Sequence, residues 1–101
     1  MRLKDKVAIV TGAGRGIGRS IALALAAEGS DLVLVARTEE QIHANGDLVQ
    51  RQGRKALPLR ADVSMEKDVR RVVQETVRAF GRIDILVNNA ASIPSARIDE
   101  I

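Results

Sequence analysis

The stretch at residues 7–18 reads VAIVTGAGRGIG. Its first four residues form a continuous apolar run, which is typical of a strand buried on both faces of a parallel sheet. Four glycines follow, and an alanine- and leucine-rich helical pattern begins at Gly16. A glycine-rich turn between a strand and a helix presents free N–H groups and the positive end of the helix dipole to an anion. The stretch therefore indicates a phosphate-binding loop rather than a tight turn whose glycines serve geometry alone.

The same strand–helix unit repeats along the chain. Apolar runs predict four strands, at residues 7–10, 32–35, 56–59 and 83–87. Helical periodicity predicts three helices, at residues 16–28, 38–52 and 64–80. A glycine suited to the left-handed conformation follows each helix: Gly29, Gly53 and Gly81. Because Pro58 cannot donate to a ladder, its strand is expected at an edge. With right-handed crossovers, these elements predict an α/β fold: an incomplete Rossmann-type, doubly wound parallel sheet of about four strands in order 3-2-1-4 with three helices.

Two helices carry signals at their starts. Residues 38–41, Thr-Glu-Glu-Gln, predict a capping box, in which the threonine hydroxyl and the glutamine amide satisfy free N–H groups. Ser64 is expected to be the N-cap of the third helix. Five apolar residues of that helix predict one apolar stripe: Val69, Val72, Val73, Val77 and Phe80.

Composition excludes several classes of function. The chain has 101 residues, 46% of them hydrophobic and 29% charged, which indicates one small globular domain. It contains no cysteine, so disulfides, thiolate metal sites and cysteine nucleophiles are excluded. The net charge of +3 comes with a single aromatic residue, which offers no platform for stacked bases, so no nucleic acid is expected as a partner. No apolar stretch reaches the roughly 20 residues of a membrane span, and no signal peptide is recognisable, so we expect a cytoplasmic protein without a membrane partner. His43, among polar neighbours, is expected at the surface.

Two common phosphate motifs do not fit the glycine-rich loop. A nucleoside-triphosphate P-loop needs G-x-x-x-x-G-K-[ST], and residues 13–20 have alanine for the first glycine and arginine for the lysine. The dinucleotide spacing G-x-G-x-x-G fails because Ile17 stands where the third glycine should be. The spacing present is T-G-x-x-x-G-x-G, at residues 11–18.

That spacing resembles the short-chain dehydrogenase/reductase family. The resemblance covers roughly residues 5–92 and also rests on Asp-Val-Ser at 62–64 and on DILVNNA at 84–90. The sequence looks most similar to the branch that holds the 3-oxoacyl-carrier-protein reductases and related alcohol and sugar dehydrogenases. One departure is Ala91, which stands where the family usually has glycine.

The resemblance implies a role for individual residues. Asp62 would accept a hydrogen bond from the adenine amino group, and the Val63 N–H would pair with the same ring. Asn88 and Ala90 would lie beside the adenosine ribose. The residues implied to line the pyrophosphate are Gly12, Gly16, Ile17 and Gly18.

The choice of cofactor follows from charge. Enzymes that use NAD place an acid at the end of the second strand to hold the ribose 2′-hydroxyl. Here that strand is followed by Arg37, whose guanidinium could grip a 2′-phosphate with two parallel hydrogen bonds, and Arg15 could close on the same phosphate. The pair favours NADP(H). NAD stays possible, because Glu39 and Glu40 lie close by.

The resemblance also implies hydride transfer between a nicotinamide and a carbonyl or alcohol, with a tyrosine as general acid/base assisted by a lysine and a serine. This chain has no tyrosine, so we assign it no catalytic residue and expect it to be inactive alone. We also assign it no metal ligand. Residues 1–90 are interpreted as a cofactor-binding half-domain, and residues 91–101 as a tail leading into an absent catalytic half. The alternative is a stand-alone, non-catalytic nucleotide-binding or structural module. We also expect self-association through the exposed edge of the fourth strand.

Overall fold

The computed structural model describes residues 2–89. All strand pairs are parallel, and the sheet order is β3-β2-β1-β4. The strands are β1 (Val7–Thr11), β2 (Asp31–Ala36), β3 (Ala56–Arg60) and β4 (Ile85–Asn88). The helices are α1 (Gly16–Ala27), α2 (Glu39–Arg51) and α3 (Glu66–Phe80). The predicted fold class and strand order are confirmed, and the strand that contains Pro58 lies at an edge.

The sheet is covered on both faces, which explains the continuous apolar runs of β1 and β2. Alternate residues of these strands face opposite sides. On one side Val10 and Leu34 pack with the buried residues of α1 and α2. On the other side Ile9 and Val35 pack with Val72 of α3. The order of the strands causes this division, because right-handed crossovers to β2 and β3 lie on one face and the crossover back to β4 lies on the other.

The sequence predictions are confirmed at the carboxyl ends of the helices and only in part at their amino ends. Gly29, Gly53 and Gly81 all have positive φ, as expected after a helix. Thr38 is the N-cap of α2 as predicted, but the predicted capping box is wrong, because Thr38 makes no side-chain capping hydrogen bond. The predicted Ser64 cap is also wrong.

The N-cap of α3 is Met65, which lacks a capping side chain. Ser64 lies one residue before this N-cap, and its hydroxyl donates to the ionised Asp62 carboxylate two residues earlier at 2.6 Å.

The predicted apolar stripe of α3 is only partly buried. Val72 is buried, but Val69, Val73 and Val77 are each more than 40% exposed. Leu86 of β4 is 51% exposed. Since β4 pairs only with β1 among the described strands, these side chains lie where nothing within residues 2–89 covers them. No helix in that range has the length and apolarity to cross a membrane.

Candidate functional site

A cleft opens at the carboxyl edge of the sheet, where the loops after all four strands meet. Its volume is about 450 Å³, within the range of small-molecule sites. The cleft lies beside β1, which has β2 on one side and β4 on the other. In open parallel sheets, ligands bind at this switch point, outside the carboxyl ends of the strands. The residues lining it are Gly12, Gly14, Arg15, Gly16, Val35, Ala36, Arg37, Thr38, Gln41, Ala61, Asp62, Val63 and Asn89.

Glycine specifies the shape of the loop after β1. Gly12 and Gly16 have φ of +64° and +59°, a region that other residues rarely adopt. A Cβ on Gly16 would meet nothing within 4 Å, so this position faces open space in the cleft. A Cβ on Gly18 would lie 1.9 Å from the carbonyl oxygen of Gly12, so α1 can sit this close behind the loop only without a side chain there.

The start of α1 differs from the starts of the other helices. Its N-cap, Arg15, is in extended conformation and makes no side-chain capping bond, and its first turn has no acid. Helices α2 and α3 each have two acids in the first turn. The first N–H groups of α1 therefore lie at the cleft and have no side-chain acceptor, and the helix dipole adds partial positive charge there. This donor set fits the pyrophosphate of a dinucleotide.

Two arginines add positive charge to the cleft. Arg15 comes from the glycine loop and Arg37 from the segment after β2. Both are exposed, and neither forms an ion pair within residues 2–89. Their guanidinium groups are therefore free to bind an anion.

On the β3 side, Asp62 is held in its ionised form. Its Oδ1 accepts hydrogen bonds from the Ser64 hydroxyl at 2.6 Å and from the Ser64 N–H at 3.0 Å. These bonds hold the pKa of Asp62 below its usual value, and the positive charge of Arg37 lowers it slightly further. The Asp62 N–H donates to Asp68 of α3 at 2.8 Å, which fixes the loop. A carboxylate in this state can accept from an amino group of a ligand.

Six of the residues singled out in the sequence line the cleft together: Gly12, Arg15, Gly16, Arg37, Asp62 and Val63. Three others lie beside it. Ile17 is in the first turn of α1 with 70% of its surface exposed, and Gly18 packs behind the loop. The Asn88 Oδ1 accepts a hydrogen bond from the Thr11 hydroxyl at 3.0 Å, which links β4 to β1. Ala90 and the tail at 91–101 lie outside the described residues.

Sequence reasoning missed Gly14, Gln41 and Asn89 of the cleft. Gln41 was interpreted as a capping residue, but its side chain packs against the loop, where a Cβ on Gly14 would come within 2.5 Å of its Oε1. Asn89 directly follows β4, and the Asn89 N–H donates to the Thr11 hydroxyl oxygen at 3.0 Å. Its position at the carboxyl end of a predicted strand was a usable signal.

No metal site accompanies the cleft within residues 2–89, since no three ligating side chains come together there. The exposed His43 lies 3.4 Å from the Glu39 carboxylate on the surface of α2.

Known proteins resemble this chain in sequence. A family model described as short chain dehydrogenase matches residues 6–101. The peroxisomal 2,4-dienoyl-CoA reductase of Danio rerio is 44% identical over 90 residues, which cover 88% of this chain and 30% of that protein. The short chain dehydrogenase/reductase astE of Aspergillus oryzae is 46% identical over 95 residues, covering 93% of this chain and 36% of that protein. The chain thus spans about a third of the length of these curated relatives.

Solved structures agree with the sequence relatives. The crystal structure of hydroxysteroid dehydrogenase from Escherichia coli superposes with a TM-score of 0.85 at 32% identity, covering 98% of this chain and 45% of that one. Similarity to the 3-oxoacyl-carrier-protein reductase branch in particular stays a prediction. The match over nearly the whole chain, the sheet order and the glycine-lined cleft lead to one assignment: the chain belongs to the short-chain dehydrogenase family, whose cofactor is a nicotinamide dinucleotide.

Proposed function

We propose that the cleft binds NADP(H), and that the chain is the cofactor-binding portion of an oxidoreductase acting on a carbonyl or alcohol substrate. The observation that carries this proposal is that Arg15 and Arg37, which form no ion pair within residues 2–89, line a cleft whose β2 side ends without a carboxylate. When bound, the nicotinamide supplies or accepts the hydride. The chain's own residues bind and orient the dinucleotide.

Each part of the cleft takes one part of the dinucleotide in this proposal. The uncapped first turn of α1, with Ile17 and Gly18, donates N–H groups to the pyrophosphate, and Gly16 leaves the space it needs. The ionised Asp62 accepts from the adenine amino group, beside the Val63 N–H. Asn88, fixed by Thr11, lies with Ala90 beside the ribose.

The proposed preference for NADPH over NADH rests on the attraction between a guanidinium and the 2′-phosphate. An exposed guanidinium can bind a phosphate through two parallel hydrogen bonds, and hydrogen bonds to charged groups contribute about 1.5–3 kcal/mol each. One such bond made only to NADPH corresponds to about a 10- to 150-fold preference over NADH. Glu39 and Glu40 stand at the start of α2 and reduce this preference through repulsion, so we expect the lower end of that range.

Fluorescence titration of the chain with NADPH and with NADH tests the proposal. We expect tighter binding of NADPH, and we expect Arg37→Asp to reverse the preference because a carboxylate repels the phosphate and accepts from a 2′-hydroxyl. The matched control is Arg51→Asp, which makes the same change of charge in the last turn of α2, and it should leave both affinities unchanged. NADH binding as tightly as NADPH, or Arg37→Asp without effect, would overturn the choice of NADP(H).

We also propose that hydride transfer requires residues outside these 101. The resemblance implies a tyrosine as general acid/base, and the chain contains none. The exposed apolar face of α3 and β4 supports the same proposal, since Val73 and Leu86 lie on a surface that a larger protein would cover. In the isolated chain this surface and the β4 edge are expected to cause self-association. Oxidation of NADPH by the isolated chain with a simple ketone would contradict the proposal.

A further inference from the structure

Asn45 is a buried amide in the middle of α2. It is 4% exposed, and it shares the inner face of the helix with apolar residues, Ile42 and Val49. A buried amide costs free energy unless its donors and acceptor find partners. Its partners therefore indicate what it does.

Both donors of Asn45 bind the glycine loop. Its Nδ2 donates to the carbonyl oxygen of Ala13 at 3.0 Å and to that of Gly14 at 2.9 Å. Its Oδ1 accepts from Nε of Arg19, on α1, at 3.0 Å. These partners permit only one orientation of the amide, because two carbonyls need donors and a guanidinium needs an acceptor. One side chain thus connects the loop with both helices that flank it.

The two hydrogen bonds fix the direction of two peptide groups. In a trans peptide the C=O and the following N–H point in opposite directions. With the carbonyls of Ala13 and Gly14 turned toward Asn45, the N–H groups of Gly14 and Arg15 point away from it. Gly14 and Arg15 are also residues that line the cleft. A loop free to rotate these peptides could present carbonyl oxygens to a phosphate, and oxygen would repel it.

We propose that Asn45 is a positioning residue of the dinucleotide site, which holds the glycine loop with its donors available to the pyrophosphate, and that Arg19 fixes the orientation of its amide. This inference rests on the proposed function of the cleft. It assigns to α2 a part in phosphate binding although Asn45 does not itself line the cleft.

Two ligands separate this role from a purely structural one. NADPH contains the pyrophosphate, whereas adenosine 2′-phosphate lacks it and engages the adenine and 2′-phosphate positions only. In Asn45→Ala we expect the dissociation constant for NADPH to rise about tenfold, the effect of one hydrogen bond to a charged group. The dissociation constant for adenosine 2′-phosphate, measured by NMR titration, should rise by no more than about threefold, because Arg15 is the one proposed partner of that ligand that lies on the loop.

A control variant is available at the other end of α2. Gln52 also donates a side-chain amide hydrogen bond across to α1, to the carbonyl of Leu23 at 3.4 Å, but it lies at the opposite end of α2 from the loop. Gln52→Ala should leave both affinities unchanged. Arg19→Lys provides a second variant if Asn45→Ala fails to fold. Arg19 is exposed, and lysine keeps its charge while removing the Nε donor, so NADPH should bind about two- to threefold more weakly.

The outcomes are distinguishable. Equal weakening of both ligands, or no weakening of NADPH in a folded Asn45→Ala, overturns the positioning role while the proposed function stands. If Asn45→Ala does not fold, unchanged NADPH binding in Arg19→Lys overturns it. If the unsubstituted chain binds neither ligand, the proposed function fails and the role of Asn45 fails with it.

Discussion

The same substitution, glycine to alanine, should have opposite effects at two helical positions. Gly18 of α1 has no room for a methyl group, which would lie 1.9 Å from the carbonyl oxygen of Gly12 and 2.7 Å from its carbonyl carbon. Ordinary contact begins at 3.4 Å, so loop and helix must separate by about 1.5 Å. The obstacle is backbone, which cannot rotate away as a side chain can. Overpacking costs about 1–3 kcal/mol, and alanine's better helix propensity offsets up to about 1 kcal/mol.

We therefore expect Gly18→Ala to lower the free energy of unfolding by about 2 kcal/mol, at the upper end of the net range. Gly46 of α2 is the opposite case. A methyl group there would lie 3.6 Å from the Ala56 Cβ and 3.9 Å from Leu34, which is ordinary contact. Gly46→Ala should therefore raise the free energy of unfolding by about 0.5–1 kcal/mol, through helix propensity and a less flexible unfolded chain.

Thermal unfolding followed by circular dichroism measures both effects. For a domain of this size, 1 kcal/mol shifts Tm by about 4–8 °C. We expect Tm to fall by about 8–16 °C in Gly18→Ala and to rise by about 2–8 °C in Gly46→Ala. A Gly18→Ala as stable as the unsubstituted chain would refute the close approach of α1 to the glycine loop. A clearly destabilised Gly46→Ala would refute the spacing between α2 and β3.

Three further predictions concern the loop, an acid and the exposed face. Gly16→Ala should lower the free energy of unfolding by about 1–2 kcal/mol, because its φ is left-handed. It should also weaken NADPH binding more than tenfold, because the methyl group enters the cleft, and paired unfolding and binding measurements check this. Hydrogen bonds from Arg82 and from a β1 backbone N–H lower the pKa of Asp84, so its contribution to stability is present at neutral pH and is lost as pH falls below about 4. The urea midpoint of Asp84→Asn should therefore lie below that of the unsubstituted chain at pH 7 and close to it in acid. A difference between the two midpoints that does not change with pH would contradict this. Val73→Lys with Leu86→Lys should reduce self-association in sedimentation experiments, and unchanged sedimentation would show that another surface associates.

The fold could be predicted from the sequence because each strand and helix has its own local sequence signal. Continuous apolar runs, helical periodicity and the glycines at 29, 53 and 81 all agreed, so element order and sheet order followed. Pro58 indicated the edge strand from its chemistry alone. Whether the hydroxyls of Thr38 and Ser64 make capping hydrogen bonds could not be predicted in the same way. A hydroxyl has several possible partners, and α3 begins at Glu66, so Ser64 lies one residue too early to cap it and its hydroxyl donates to the Asp62 carboxylate.

The cleft was predicted in part for a similar reason. Residues at strand ends, such as Gly12, Arg37 and Asp62, could be found because the carboxyl ends of parallel strands converge. Gln41 and Asn45 come from α2, and they reach the loop only through the packing of α2 beside α1. A polar residue between Ile42 and Val49, on an apolar helix face, was the one local signal for Asn45.

An NMR titration of the ¹⁵N-labelled chain with NADPH tests directly whether the cleft binds a dinucleotide, because it reports each backbone N–H separately. We expect the largest shifts at residues 12–18, at Arg37 and at Asp62–Val63, where the loops after β1, β2 and β3 line the cleft. Smaller shifts are expected along α3, at Val73 and Val77. Shifts confined to α3, or no shifts in a folded chain at millimolar NADPH, would contradict a dinucleotide site in this cleft.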